Sequence, residues 1–294
     1  MKYISLLVCF ILWFHFSFAQ EKMGVLFVGN SLTYYHDMPR TVQRMIDEQH
    51  LQIKIDQSTF PGVSLSTHLM RINEGTSWRR THDNELSPTV KKILCGHWDL
   101  IILQESPVTV LIPRSGKYNF EPALSKLDSI IKLKKSRTAL YQPYALDEYP
   151  KHYCYPDAAI RMNMPDPGCQ VGEKSRCCSD TFHNTTEEFE YMAKAFDTAS
   201  KSINADVVRI GLAFEQCRTK YPHIPLYESK GDEHPSKEGS YLIACMFYKY
   251  ITGQSLGKIK YSAQLNEGDA KNLRAVADGI HPVTYPKNLK TTGK

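Results

Sequence analysis

The stretch VLFVGNSLTYYHDMP, residues 25–39, joins an apolar run to a polar turn that contains a serine. The four apolar residues that open it are typical of a buried strand, and Gly29 and Asn30 are typical of the turn that follows one. The next helical pattern starts near Pro39, so we expect Ser31 to lie in a loop between a strand and a helix. The alternative is that Ser31 caps the N-terminus of a helix, as serine often does.

This strand is the first of several that alternate with helices along the chain. Short apolar, β-branched runs predict strands, and apolar residues spaced three and four apart predict amphipathic helices. Their alternation predicts a three-layer α/β/α sandwich with a central, mostly parallel five-stranded sheet. The predicted strands are residues 24–29, 53–58, 99–104, 138–143 and 206–211, and the predicted helices are residues 38–49, 120–133, 186–203 and 236–253.

The composition is that of an ordinary globular protein. Of the 294 residues, 42% are hydrophobic and 23% are charged, which is enough apolar material for one large core. The formal net charge is +5, but lysine and arginine are interspersed with acidic residues instead of forming a basic stripe. The sequence therefore predicts no nucleic-acid partner.

The first 19 residues predict a signal peptide. A lysine at position 2 precedes the apolar run ISLLVCFILWFHF, and SFA, which ends at Ala19, fits the small residues of a cleavage site. We therefore expect residues 1–19 to be removed and residues 20–294 to form one domain. The mature protein is expected to be secreted or periplasmic, with no stable insertion in a membrane. An uncleaved anchor and lipidation at Cys9 are the alternatives.

Four cysteines lie in a segment rich in proline, glycine and charged residues, at about 145–185. Because export leads to an oxidising compartment, we expect this segment to be a loop insertion held by at least one disulfide. A zinc site is the alternative, although the spacings lack two separated CxxC pairs. Cys95, Cys217 and Cys245 have apolar neighbours and are expected to be buried thiols or pairs in the core. The four cysteines of the insertion are Cys154, Cys169, Cys177 and Cys178.

Several chemically active groups follow the predicted strands or precede the last predicted helix. Since the carboxyl ends of parallel strands share one edge of the sheet, we expect these groups to form one site. They supply a hydroxyl, a backbone N–H beside a glycine, a carboxamide, a carboxylate and an imidazole. A nucleophile, oxyanion donors and a general base are the requirements of acyl transfer. The residues are Ser31, Gly62, Gln104, Asp232 and His234.

Four blocks of this sequence resemble the conserved blocks of the SGNH hydrolases, also called GDSL-type esterases and lipases. They are FVGNSLT, FPGVSL, WDLIILQES and DEHPSKEGSYLIACMFYKYITG, in the family's order over nearly all of the chain after the signal peptide. The last block is the most specific, because His-Pro-Ser precedes a glycine and an amphipathic helix. The resemblance implies the SGNH, flavodoxin-like form of the α/β/α sandwich and a reaction that needs no metal or other cofactor.

The resemblance also implies a role for each matching residue. Ser31 matches the nucleophile, and His234 matches the general base. The backbone N–H groups of Ser31 and Gly62 match two donors of the oxyanion hole. The third donor in the family is usually an asparagine side chain, and Gln104 is our candidate here because glutamine can donate the same N–H from a longer side chain.

The acidic member of the triad departs from the family's pattern. Family members usually have an aspartate three residues before the histidine, but Gly231 occupies that position here. Asp232 is our candidate. The alternatives are Glu228 and a backbone carbonyl that orients His234 in a Ser-His dyad. A second departure, Asn30 in place of the common aspartate, leaves the serine in register.

The predicted function is hydrolysis of a small-molecule or polysaccharide ester through an acyl-enzyme. The expected reaction removes acetyl or a similar acyl group from a carbohydrate, as the family's habits imply. A lipase or thioesterase of the same fold and a catalytically silent carbohydrate-binding protein are the alternatives. Because aromatic residues more often serve the core than a ligand, Tyr34, Tyr35, His36 and Trp98 are not assigned to the site.

Overall fold

The computed structural model describes residues 22–154 and 178–280. A signal peptide at residues 1–19, Cys169 and Cys177 therefore lie outside the described residues. The strands are β1 (Met23–Gly29), β2 (Ile53–Thr59), β3 (Arg71–Glu74), β4 (Ser77–Arg80), β5 (Leu100–Gln104), β6 (Arg137–Gln142) and β7 (Asp206–Arg209).

Five of these strands form a parallel sheet with the spatial order β2-β1-β5-β6-β7. From β1 the chain first adds β2 on one side, and later adds β5, β6 and β7 on the other side. The strand order therefore changes direction between β1 and β5. In open parallel sheets, ligands bind outside the carboxyl ends of the strands at such a switch point. β3 and β4 form a separate antiparallel pair.

Helices connect the strands and cover the sheet. Several begin where a serine or asparagine side chain accepts a backbone hydrogen bond from the first turn, as at Ser64, Ser87, Asn184 and Ser236. The helices are α1 (Ser31–Tyr34), α2 (Met38–Glu48), α3 (Leu65–Met70), α4 (Pro88–Cys95), α5 (Pro107–Leu111), α6 (Pro113–Ser115), α7 (Glu121–Leu133), α8 (Thr185–Ile203), α9 (Ile210–Lys220), α10 (Lys237–Thr252) and α11 (Glu267–Gly279).

The sheet separates two apolar clusters. Successive side chains of β1 enter different clusters: Val25 and Phe27 pack with α2, α9, α10 and α11, whereas Leu26 and Val28 pack with α3, α4, α7 and α8. This division explains why β1 is a continuous apolar run instead of an alternating one. The predicted three-layer α/β/α sandwich with a five-stranded sheet is confirmed, and all five strands are parallel.

A disulfide joins Cys154 to Cys178, the two described residues that flank residues 155–177. The prediction of a disulfide among the four clustered cysteines is confirmed. Since their sulfur atoms are bonded to each other, Cys154 and Cys178 are not available as zinc ligands. An antiparallel bridge between Lys151 and Phe182 holds the same two segments together.

The remaining described cysteines are free thiols. Cys217 and Cys245 are buried, as expected, but Cys95 is exposed. On α4 the buried residues are Thr89, Val90 and Ile93, and Cys95 lies about 140° around the helix from Val90 at about 100° per residue. The apolar neighbours of Cys95 in the sequence therefore face the core while Cys95 does not. Over the described residues, no helix is long and apolar enough to cross a membrane.

Candidate active site

Ser31 directly follows the turn that ends β1. The side-chain oxygen of Asn30 accepts a hydrogen bond from the Leu32 N–H at 3.1 Å, so Asn30 is the N-cap and Ser31 is the first residue of α1. We expected Ser31 in a loop, and this short helix corrects that expectation. The Ser31 N–H has no acceptor within the helix, because the first N–H groups of a helix never do.

His234 links the serine to a carboxylate. Its Nε2 atom lies 3.0 Å from the Ser31 hydroxyl, and its Nδ1 atom lies 2.8 Å from Oδ1 of Asp232. These three side chains come from opposite ends of the chain, since 203 residues separate Ser31 from His234. The serine is buried, and the imidazole and carboxylate side chains are 25% and 34% exposed, so solvent can reach the site.

Asp232 reaches the imidazole from two residues away because the chain forms a tight turn there. The same Oδ1 atom of Asp232 also accepts the backbone N–H of His234 at 2.9 Å, which is the hydrogen bond of an Asx turn. This backbone hydrogen bond, followed by the one from the imidazole, holds the pKa of Asp232 below its usual value. The carboxylate is therefore ionised at neutral pH.

The position of the family's usual aspartate is unsuited to a side chain here. Gly231 has a φ of +76°, and a Cβ there would lie 2.3 Å from a carboxylate oxygen of Glu148. Glu228, the other candidate acid, pairs with His36 instead of His234. Three partners were considered for Nδ1 of His234. The structure places Asp232 in contact with this atom.

Gln104 is buried beneath the serine turn. Its Oε1 atom accepts the Asn30 N–H at 2.7 Å and the Thr33 hydroxyl at 3.0 Å, and its Nε2 atom donates to the Glu105 carbonyl at 2.8 Å. At Gly29, a Cβ would lie 2.5 Å from both Gln104 Oε1 and Thr33 Oγ1. The Gly29 and Gln104 pair therefore fixes the backbone that precedes Ser31, and the Gln104 amide nitrogen has one acceptor among the described residues, the Glu105 carbonyl.

Gly62 lies on an exposed loop beside this turn, with a φ of +64° and open space around its Cα. The loop is held to the serine turn by a hydrogen bond of 3.1 Å from Asn30 Nδ2 to the Val63 carbonyl. In the described part of the chain, the Gly62 N–H donates to no other group. This N–H therefore has no acceptor among the described residues, and its predicted place in an oxyanion hole stays a prediction.

A buried histidine that the sequence did not single out supports the serine turn from the other side. His68 Nε2 lies 2.9 Å from the Gly29 carbonyl, and Nδ1 lies 2.7 Å from the Thr89 hydroxyl. Burial lowers the pKa of His68 to about 4, so the ring is neutral at pH 7. Since a carbonyl can only accept, we assign the proton to Nε2, and Nδ1 accepts from Thr89.

The sequence also missed two other residues at this edge of the sheet. The Glu105 carboxyl accepts the Leu65 N–H at 3.0 Å, and burial raises its pKa to about 7. The ring of Tyr35 stacks on the imidazole of His234, with centroids 4.2 Å apart and planes 17° apart. Tyr35 was not assigned to the site because aromatic residues more often serve the core, and here the ring instead contacts His234.

A five-stranded parallel sheet with a serine after its first strand, and a histidine and an aspartate before α10, is the arrangement that the resemblance to the SGNH hydrolases implied. The described residues have this fold, and the resemblance predicted from the sequence is confirmed at the level of fold.

Two solved structures are similar to this chain. One is a protein from Slackia heliotrinireducens assigned to the SGNH hydrolases, with 18% identity, coverage of 78% of this chain and 99% of that chain, and a TM-score of 0.53. The other is a DUF4886 family protein from Bacteroides uniformis, with 16% identity, coverage of 88% and 94%, and a TM-score of 0.60. No protein-family model and no curated protein matches the chain.

Proposed function

We propose that this protein is a serine esterase in which Ser31 is the nucleophile, His234 the general base and Asp232 the residue that orients the base. The observation that carries the proposal is the unbroken chain of hydrogen bonds from Ser31 to His234 at 3.0 Å and from His234 to Asp232 at 2.8 Å. A nucleophile within reach of a base that a third group orients is the signature of covalent catalysis by serine.

The geometry supports a direct mechanism. Asp232 is ionised, so it accepts a hydrogen bond from the N–H at Nδ1 of His234, and this keeps Nε2 unprotonated toward Ser31. As the Ser31 oxygen bonds to the ester carbonyl carbon, His234 Nε2 takes the hydroxyl proton. His234 then returns that proton to the departing alcohol, and an acyl-enzyme remains. Water attacks the acyl carbonyl in the same way and releases the acid.

The oxyanion of each tetrahedral intermediate needs preorganised donors. We propose the backbone N–H groups of Ser31 and Gly62, neither of which donates to another described group, and the remaining N–H of the Gln104 amide. The contacts of Gln104 support two tasks for this residue. Its oxygen positions the turn that carries Ser31, and its nitrogen supplies the third donor.

The substrate is proposed to be a polar ester, with acetyl or a similar small acyl group on a carbohydrate. The pocket beside the site is lined mainly by charged and polar side chains, which favours a sugar over a long lipid chain. The Cys154–Cys178 disulfide supports an oxidising location, secreted or periplasmic. A catalytically silent protein is disfavoured, because the irregular acid position that suggested it is accounted for by the turn at Asp232.

The test is the Ser31→Ala variant assayed on 4-nitrophenyl acetate, on longer 4-nitrophenyl esters and on acetylated oligosaccharides. We expect turnover to fall about 10⁴-fold or more, as when other serine hydrolases lose their nucleophile. Ser125→Ala, an exposed serine on α7, is the matched control and should retain full activity. Circular dichroism checks that both variants fold. Substantial turnover by a folded Ser31→Ala protein would rule out the mechanism.

A further inference from the structure

We propose that a basic pocket beside the catalytic residues binds an anionic group, a carboxylate or a sulfate, on the alcohol part of the substrate. The pocket has a volume of about 230 Å³. It is lined by three segments, residues 36–44, 237–241 and 261–264, of which the first two come shortly after Ser31 and His234 in the chain. This inference rests on the proposed esterase function and adds the charge of the substrate to it.

One path of contacts and one short stretch of chain connect the pocket to the catalytic histidine. His36 lines the pocket and pairs with the carboxylate of Glu228, whose backbone N–H bonds the His234 carbonyl at 3.1 Å. Lys237, which also lines the pocket, is three residues after His234, so their Cα atoms are at most about 11 Å apart. A group bound here would therefore belong to the same substrate molecule as the ester.

The charge of the pocket is positive. Arg40, Arg44 and Lys237 line it together with a single carboxylate, Asp37. That carboxylate is 3.6 Å from Arg40, and both side chains are mostly exposed, so the pair is weak. Within residues 22–154 and 178–280, neither Arg44 nor Lys237 forms an ion pair. The pocket thus holds two cations that lack a counterion.

Helix stability does not explain Lys237. It is the first residue of α10, where the helix dipole disfavours a positive charge. Arg44 lies over the ring of Tyr261, 5.6 Å from its centroid, and both residues line the pocket. A planar guanidinium and an ammonium at the same site suit a carboxylate or a sulfate, each of which has several oxygens to share between them.

A buried hydroxyl on the same pocket also lacks a partner. Ser240 lines the pocket, is 2% exposed, and its Oγ atom has no hydrogen bond among the described residues. Most buried polar side chains have a hydrogen-bond partner. If the hydroxyl turns toward the pocket, an oxygen of a bound anion would supply one, which makes Ser240 the third member of the proposed subsite.

The experiment compares matched acetylated oligosaccharides that differ in charge. The full-length mature protein is assayed on an acetylated oligogalacturonide, which carries carboxylates, on a sulfated acetylated oligosaccharide, and on a neutral acetylated xylo-oligosaccharide. We expect kcat/KM for at least one anionic substrate to exceed the neutral one by about tenfold, and 0.5 M salt to reduce this ratio because exposed charges are screened. The substrate with the higher ratio identifies the anion.

The ratio should fall to about twofold or less in Arg44→Gln/Lys237→Gln. Lys237→Gln alone should lower it in part, and this single variant covers the case in which the double variant does not fold. Lys126→Gln, an exposed lysine on α7 at the other face of the sheet, should leave the ratio unchanged. Equal kcat/KM for charged and neutral substrates, or a ratio insensitive to Arg44 and Lys237, would overturn the inference.

A binding measurement separates this inference from the esterase proposal. Calorimetry with the Ser31→Ala protein and unacetylated oligogalacturonide or sulfated oligosaccharide reports the pocket without turnover. If the wild-type protein cleaves 4-nitrophenyl acetate but shows no preference for anions, only the inference fails. If no ester is cleaved but an anionic oligosaccharide binds through Arg44 and Lys237, only the esterase proposal fails.

Discussion

The two halves of the candidate site are built in different ways. The turn that carries Ser31 is buried, and its hydrogen bonds reach Gln104 at the end of β5, His68 in α3 and the loop at Val63. The loop that carries His234 is partly exposed. Its main hydrogen bonds are local, because Asp232 accepts both the backbone N–H and the ring N–H of His234, two residues away. The proposed nucleophile is thus held by segments from across the fold, whereas the proposed base is held mainly by a local turn, together with the ring of Tyr35 and the Glu228 N–H.

This difference predicts which substitutions should affect stability and activity together. Removing a group that holds the Ser31 turn leaves a buried donor or acceptor without a partner, which costs about 1–3 kcal/mol of folding free energy. When a group that holds His234 is removed, water can take over its hydrogen bonds, so the loss of folding free energy is small. We therefore expect changes around Ser31 to lower both stability and activity, and changes around His234 to lower activity alone.

The strongest test of this contrast is Asp232→Asn. The amide cannot stabilise the imidazolium, and it can favour the wrong tautomer of His234, so we expect kcat to fall by about 10⁴-fold, as in a serine protease triad. The melting temperature should change little, because the turn is local and exposed. Steady-state kinetics and thermal unfolding provide the two measurements.

Glu228→Gln is the matched control for Asp232, since it removes a neighbouring carboxylate that pairs with His36. It should have a much smaller effect on kcat. A loss below tenfold in Asp232→Asn would indicate a Ser-His dyad. A large loss only in Glu228→Gln would move the acid to Glu228.

A smaller effect on activity is expected at Gln104, but with a cost in stability. Gln104→Ala removes a proposed oxyanion donor, so we expect kcat to fall about 10²-fold with little change in KM. It also leaves the buried Asn30 N–H and Thr33 hydroxyl without their acceptor, so urea unfolding should show a loss of about 1–3 kcal/mol.

Thr33→Val separates the two tasks of Gln104. It removes the hydroxyl that bonds Gln104 Oε1 but leaves the amide nitrogen in place. We expect a change in stability with a much smaller loss of kcat. If the loss in Gln104→Ala appeared wholly in KM, Gln104 would be a substrate-binding residue instead.

The smallest effect on activity is expected at His68, where the main observable is the pH dependence of stability. Burial lowers its pKa from 6.5 to about 4, so between these values the unfolded chain binds more protons than the folded protein. The contribution of His68 is therefore present above pH 6.5 and is lost as the pH falls toward 4, by up to about 3 kcal/mol.

His68→Gln isolates this term, because Glu105 has the opposite dependence. Burial raises the pKa of Glu105 to about 7, which lowers stability as the pH rises from 4.5 to 7. The wild-type protein should lose more stability than His68→Gln between pH 7 and pH 4.5 in urea unfolding. Parallel curves for the two proteins would mean that His68 is not held neutral by burial.

The sequence predicted the parts of the molecule that depend on local pattern. Apolar runs marked the five strands of the sheet, and the predicted strand at 206–211 was too long only because α9 begins at Ile210. Ser31 and His234 were predictable because each lies in a distinctive block beside a strand or helix. Asp232 was selected among open alternatives, and its contact with the ring follows from a turn that the spacing alone does not specify.

The residues that the sequence missed depend on contacts between distant segments. His68 looks like one polar residue on an amphipathic helix, and only the packing of α3 beneath β1 brings it to the Gly29 carbonyl. Tyr35 lies next to other aromatic residues, and its stacking on His234 requires the fold to be known. The β3–β4 hairpin was missed as well, because it is short and polar and lies outside the sheet.

The cross-link between Cys154 and Cys178 has a consequence for how this domain can vary. Cys154 and Cys178 are bonded to each other, so the number of residues between them does not set the spacing of β6 and α8. Doubling the length of such an excursion costs only about 0.6 kcal/mol in loop-closure entropy. This position should therefore accept a segment of another length or composition while the sheet and the candidate site keep their geometry.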